Sequence, residues 1–194
     1  MKIQTVLCLM IAGLGLNAQH NISTVKIDDV TINYKGKSVK AKKLVVTSTI
    51  PMHIDSVWNN VKTSDLLLFV TKGFAKMKPT GGAFPKYWIA NDTASTRTKV
   101  FGFIPFGGMR HLYFETISDE EYVIQTREWD KGAKVWDHKI QLVPTEQNAT
   151  IYTDEIVIYG GQLTSIITAF AKRFYQYRQN RWQIVAKDKL IFGE

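Results

Sequence analysis

Cysteine is nearly absent: the 194-residue chain has one, Cys8. It stands in the apolar start, after Thr5-Val6-Leu7, a context that does not suit lipid attachment. The remaining residues have none, which excludes disulfides, thiolate metal sites and cysteine nucleophiles there. Histidine is scarce too, with only His20, His53, His111 and His138, and no His-x-His or Glu-x-x-His spacing pairs them as ligands. No metal and no cofactor are therefore expected. Gly-x-Ser-x-Gly is missing, no glycine-rich segment runs into Lys-Ser/Thr, and no Ser/His/Asp triad is suggested. After residue 19 no stretch approaches the ~20 apolar residues that a membrane-spanning helix needs.

Residues 1–19, MKIQTVLCLMIAGLGLNAQ, join cationic Lys2, an apolar run from Val6 to Leu16 and a small Ala18 before Gln19. This reads as a secretory signal peptide, and the expected product is periplasmic or secreted. The rest is long enough for one domain with a sizeable core, expected over residues 43–190, with an N-terminal extension at 20–42 and a tail at 191–194. The formal charge is +8. Without Lys2, 24 Lys and Arg stand against 17 Asp and Glu, leaving +7. The cations gather near the start (Lys35, Lys37, Lys40, Lys42, Lys43) and near the end (Lys172, Arg173, Arg178, Arg181). They are read either as solvated faces or as a peripheral contact with an anionic membrane surface. Nucleic acid is not an expected partner of an exported chain.

The order of elements carries the fold. Thr31 to Tyr34, turning at Lys35-Gly36, predicts a short hairpin, and Leu44 to Ile50 a first strand ended by Pro51. Ile54, Val57, Trp58 and Val61 recur at helical spacing over Met52 to Lys62. Thr63-Ser64-Asp65 offers the cap of a second short helix, Leu66 to Lys76. Six strands are expected next: Lys86 to Asn91, Thr96 to Ile104, Met109 to Ser118, Glu121 to Trp129, Lys134 to Val143 and Thr150 to Tyr159. Turn residues separate them, among them Pro105-Phe106-Gly107-Gly108. After Gly160-Gly161 the period changes, and Leu163, Ile166, Ile167, Phe170, Phe174, Tyr177, Trp182 and Val185 predict one long helix to Leu190. The expectation is an α+β fold in which seven antiparallel strands curve around the C-terminal helix, with two short helices after the first strand. Such a sheet leaves a concave, mostly apolar space against its helix.

Three stretches stand out: Thr47-Ser-Thr-Ile-Pro-Met-His-Ile-Asp-Ser-Val-Trp58; Trp136-Asp-His138 with Ile140 and Leu142, followed by Thr150-Ile-Tyr-Thr-Asp-Glu-Ile-Val-Ile-Tyr159; and Phe174-Tyr-Gln-Tyr-Arg-Gln-Asn-Arg-Trp182. Together they resemble the helix-grip fold of the START and birch-pollen-allergen superfamily (SRPBCC), which includes polyketide cyclase-like and lipid-transfer members. The resemblance covers about residues 43–190. It implies a hydrophobic small molecule as partner, and a role ranging from passive carrier to cyclase, since the fold does not fix the function.

Within that frame the alternation of Lys134 to Val143 puts His138 on the same side as Trp136, Ile140 and Leu142. It is read as a core histidine bonded to a neighbour or as a polar group touching ligand, and either role requires a hydrogen-bond partner. Asp154 is one candidate if Tyr152, Asp154, Ile156 and Ile158 face inward, while the opposite parity turns it out; pairing of Asp154 with Arg178 or Arg181 is equally open. One of Arg127 and Glu128 must also face inward, and an inward Arg127 would suit a carboxylate-bearing ligand such as a fatty acid. Phe101 to Gly108 reads as a loop at the cavity mouth. The cavity candidates are thus Trp136, His138, Ile140, Asp154, Arg127, Phe103, Phe170 and Phe174. Three functions stay open: an exported binding domain for a hydrophobic or amphipathic molecule, a cyclase or dehydratase in which His138 or Glu128 moves a proton, or a structural domain whose interior its own aromatics fill.

Overall fold

The computed structural model describes residues 22–193; the segment read as a signal peptide lies outside them. Its first element is a hairpin of β1 (Thr24–Tyr34) and β2 (Lys37–Ile50), paired from Thr24 opposite Thr47 to Tyr34 opposite Lys37. Only Lys35 and Gly36 remain for the turn, both at positive φ (52° and 77°). That is the mirror-image turn whose twist suits a two-residue loop. The hairpin is thus longer than expected, and the first strand of the domain starts at Lys37, not Leu44.

Helix α1 (Ile54–Val61) begins at His53, whose ring accepts from the Asp55 amide (3.3 Å), and buries Ile54, Val57, Trp58 and Val61 as the spacing predicts. Helix α2 (Ser64–Thr71) is capped by the Thr63 hydroxyl, which accepts from the Leu66 amide (3.2 Å). It ends at Thr71, not Lys76, because Lys72 turns extended (ψ 129°), and the chain continues as strand β3 (Ala75–Pro79).

The remaining strands are β4 (Thr93–Val100), β5 (Ile104–Ser118), β6 (Val123–Trp129), β7 (Val135–Pro144) and β8 (Thr150–Tyr159). They complete one antiparallel sheet in the order β1-β2-β8-β7-β6-β5-β4-β3. The two short helices carry the chain from β2 to the far edge, and the strands then return by hairpins until β8 meets β2. Eight strands therefore stand where seven were expected. β1 and β3 are added, and the strand expected over residues 86–91 is lost. That segment makes one bridge, Thr63 with Tyr87, and hydrogen-bonds to the junction of α1 and α2 (Trp88 amide to Lys62 carbonyl, 2.9 Å). Trp88 instead stacks on Phe114, 4.6 Å between ring centres.

The turn expected at Pro105 to Gly108 falls earlier, at Phe101 to Phe103. Gly107 and Gly108 (φ 68° and 80°) form a bulge within β5, where pairing steps from Arg97 with Met109 to Thr98 with Phe106. Turn and bulge both call for positive φ, so the same residues signal either.

A 3-10 turn (Gly161–Leu163) leads into α3 (Thr164–Lys187), which lies against β2, β8 and α2. Its buried line is Ile167, Ala171, Tyr175, Arg178, Gln179, Trp182 and Val185. Phe170, Phe174 and Tyr177 sit on its flank and pack around Phe74. The aromatic stripe is therefore turned sideways from its expected course, and the polar residues Thr164, Thr168, Arg178 and Gln179 are buried with the gripped face. No helix among the described residues is long and apolar enough to cross a membrane.

Candidate functional site

Strand alternation decides what reaches the concave face. On β5 it turns Arg110, Leu112 and Phe114 inward; on β6, Thr126 and Glu128; on β7, Trp136, His138, Ile140 and Leu142; on β8, Tyr152, Asp154, Ile156 and Ile158. Between this face and α3 lies a cavity of about 100 Å³. Leu66, Leu67, Leu112, Phe114, Ile124 and Ile140 supply much of its apolar wall, and Phe106 stacks on Phe170 beside it (4.4 Å). Arg110, Thr126, Glu128 and His138 from the sheet, with Tyr175 and Arg178 from α3, supply the polar wall.

The polar wall is a chain of ions. Arg110 donates to Glu128 Oε2 (3.0 Å) and Asp130 Oδ2 (2.9 Å), and its guanidinium lies over the Trp136 ring at 4.4 Å. Glu128 Oε1 accepts from the Thr126 hydroxyl (2.9 Å) and faces His138 Nδ1 at 3.8 Å. His138 Nε2 donates to Asp154 Oδ1 (2.7 Å), and Asp154 Oδ2 accepts from Gln179 Nε2 (3.0 Å), which also donates to the Val46 carbonyl. Each of these carboxylates is nine-tenths or more buried.

Burial on its own would strip the proton from His138, but the hydrogen bond to Asp154 and the nearby Glu128 carboxylate outweigh it and raise the imidazole above its ordinary value. For Glu128, burial pushes the carboxyl up; His138 and Arg110 overcome it and hold the group below the usual carboxylate range. The site is therefore organised as charged groups fixed by one another.

Of the residues singled out from the sequence, Trp136, His138, Ile140, Phe170 and Phe174 line the cavity, and Asp154 lies behind His138. Two lie elsewhere. Arg127 takes the outward parity and pairs on the surface with Glu115 (2.9 Å) and Asp137 (2.6 Å), leaving Glu128 as the inward member. Phe103 is 71 % exposed in the β4–β5 turn, displaced from the mouth because the turn comes earlier than expected. Of the partners weighed for Asp154, Arg181 instead lies over the Phe69 ring (4.2 Å), and Arg178 forms no ion pair among the described residues. Arg110 is a cavity residue that the sequence reading does not name, and Arg178 enters that reading only as a partner for Asp154. Arg110 carries the signal that marked His138, a charged residue in phase with an apolar stripe (Leu112, Phe114). Arg178 becomes visible once the helix stripe is shifted to Tyr175, Arg178 and Trp182. Among the described residues no group of three or more His, Cys, Asp or Glu is arranged to hold a metal ion.

No protein-family model matches the chain, and no curated protein matches it in sequence. Solved structures do match its shape. Protein Ms6760 from Mycobacterium smegmatis aligns with a TM-score of 0.58 at 6% identity, over 74% of this chain and 89% of its own. Protein CV1439 from Chromobacterium violaceum aligns at 0.56 and 10% identity, over 74% and 96%. Norcoclaurine synthase from Thalictrum flavum, in complex with dopamine and hydroxybenzaldehyde, aligns at 0.52 and 10% identity, over 86% and 89%. At such identities the likeness shows the fold, which is the helix-grip fold.

Proposed function

We propose that this chain is an exported binding domain that encloses a small amphipathic organic molecule, its apolar body against Leu112, Ile124, Ile140 and the α3 phenylalanines, its polar end toward the ion chain. The observation that carries the reading is the two-sided cavity: apolar on one wall, charged on the other, where the sheet's ions pair with one another. Sites for small molecules combine a mostly apolar lining with a few placed polar groups. The norcoclaurine synthase structure adds that the same fold accommodates small aromatic compounds.

Size narrows the class. Pockets for drug-sized ligands run to ~300–1,000 Å³, and an engineered apolar cavity of roughly 150 Å³ admits benzene. At about 100 Å³, a single-ring compound fits after small shifts of Phe106 and Phe170. A long acyl chain would need the helix to move.

A proton-transfer enzyme using His138 and Glu128 is less well supported. A general base works best with a pKa near the working pH and a free lone pair. Both Glu128 oxygens are engaged, its pKa is held low, and both His138 nitrogens face carboxylates.

Native mass spectrometry of protein from its own host tests the binding reading. The expected result is a non-covalent adduct whose extraction yields a small organic compound. Protein found only at its bare chain mass, and neither stabilised nor shifted by added ring compounds, would favour an interior filled by its own aromatics. Export is supported by the composition of residues 1–19. Terminal sequencing of protein recovered outside the cytoplasm should find the chain starting near His20; recovery inside with Met1 intact would refute it.

A further inference from the structure

Two guanidinium groups reach the cavity, and their surroundings differ. Arg110 is matched by two carboxylates, Glu128 and Asp130, within 3.0 Å. Arg178 is only 7% exposed and makes no ion pair among the described residues; its Nε is buried without a hydrogen-bond partner. The carboxylate that attracts it most, Asp154, has one oxygen on His138 and the other on Gln179. Tyr152, which also faces Arg178, ends in a hydroxyl that is itself without a partner. What supports the cation is the faces of Tyr175 (5.0 Å) and Phe174 (5.7 Å), together with attraction from Asp154 at longer range.

A buried charge without a paired, hydrogen-bonding partner is costly, and interiors hold one only where something answers it. Here an unanswered planar donor sits on the wall of a cavity whose other surface is apolar. The guanidinium fork matches a carboxylate with two parallel N–H···O bonds, a geometry that no neutral acceptor reproduces as well. We propose that Arg178 anchors the ligand of this cavity by its carboxylate, which makes the ligand class a small monocarboxylic acid with an apolar, ring-sized body. This rests on the binding reading above and extends it.

The charge balance sets the size of the effect. Glu128, Asp130 and Asp154 already oppose Arg110 and Arg178, so the cavity has no net positive field of guanidinium groups to draw in anions. The carboxylate is held by local pairing with one group, and the preference should match one charge-assisted pair, roughly tenfold or more over a neutral isostere.

The test titrates the full chain with benzoate and with benzamide, following the side-chain NMR signals of Ile124, Ile140 and Trp136. Wild type should bind benzoate roughly tenfold more tightly than benzamide. Arg178→Gln should lose that margin, and Arg178→Lys, which keeps the charge without the fork, should retain part of it. If wild type binds the two probes equally, or Arg178→Gln keeps the preference, the anchor is wrong and the binding reading stands. If neither probe moves the cavity signals of wild type, both fall. Should Arg178→Gln fail to fold, the wild-type ratio and Arg178→Lys still decide.

Discussion

His138 Nε2 and Asp154 Oδ1 lie 2.7 Å apart on adjacent strands, both side chains sealed from solvent. In the β7–β8 register His138 stands opposite Ile156, so Asp154 is its diagonal neighbour. Gln179 holds the other carboxylate oxygen and the Val46 carbonyl, and one carboxylate thereby ties two strands to the helix that crosses them and, through Gln179, to β2.

Removing that carboxylate charge should therefore be felt across the fold. Asp154→Asn leaves His138 beside an amide, and breaking a buried pair costs ~3–5 kcal/mol. His138 can shed its proton in response, which places the expected loss near the lower end, about 3 kcal/mol. Urea unfolding at neutral pH measures it; a loss below about 1 kcal/mol would mean that the pair contributes little.

The same pair gives stability a pH dependence. His138 faces Asp154 from β8, Glu128 from β6 and, opposing them, Arg178 from α3, and its folded pKa is raised above the ordinary 6.5. A raised value means that the folded state holds the proton more tightly, so the contribution is fully present below about pH 6.5 and is lost as pH rises through the folded value. Glu128, held low, acts in the opposite sense: its contribution is present above its unfolded value and fades as pH falls through the folded one. Unfolding curves taken from pH 5 upward should show wild type losing stability on the alkaline side and His138→Gln losing less. Parallel profiles would contradict this.

Gly160 tests how closely helix and sheet approach. Its φ of −129° suits any residue, yet an added Cβ would collide with Ile167 Cδ1 and meet the Gly132 carbonyl at 2.9 Å. The side chain can move, but the backbone oxygen cannot without disturbing the β6–β7 turn. Gly160→Ala should cost about 1–3 kcal/mol as overpacking. An unchanged melting temperature would show that the junction has slack.

Strands β5 to β8 and the terminal helix were legible because their apolar residues keep a period of two and then of three to four. The histidine's location was legible for the same reason; its partner was not, because β8 carries apolar residues on both faces and either parity reads well. β3 was hidden. Ala75–Pro79 is short and lysine-rich and pairs on one side only, as an edge strand can. Conversely, Tyr87-Trp88-Ile89 has strand composition but spends its hydrogen bonds on the α1–α2 junction. Arg110 and Arg178 show the limit of reading charged residues as solvated. One charge in phase with an apolar stripe is the signal, and it is present at Arg110 as it is at His138.

The two arginines of neighbouring strands should answer to substitution in opposite ways. Arg127, weighed with Glu128 for the inward face and found outside, pairs with Glu115 and Asp137 at a site where its side chain is 43% exposed. Exposed pairs contribute ~0.2–1 kcal/mol each, so Arg127→Ala should cost about 1 kcal/mol or less and leave the binding of benzoate or a fatty acid untouched. Arg110→Ala removes the counter-charge of Glu128 and Asp130, both nearly sealed from water. The cost should reach about 3–5 kcal/mol, and Glu128, left with His138 alone, should titrate at a higher pH than in wild type. Denaturant melts of the two variants, with the Glu128 carboxyl followed by NMR, provide the comparison. Equal losses would mean that burial does not separate the two sites, and the inward assignment of Glu128 and Arg110 would have to be given up.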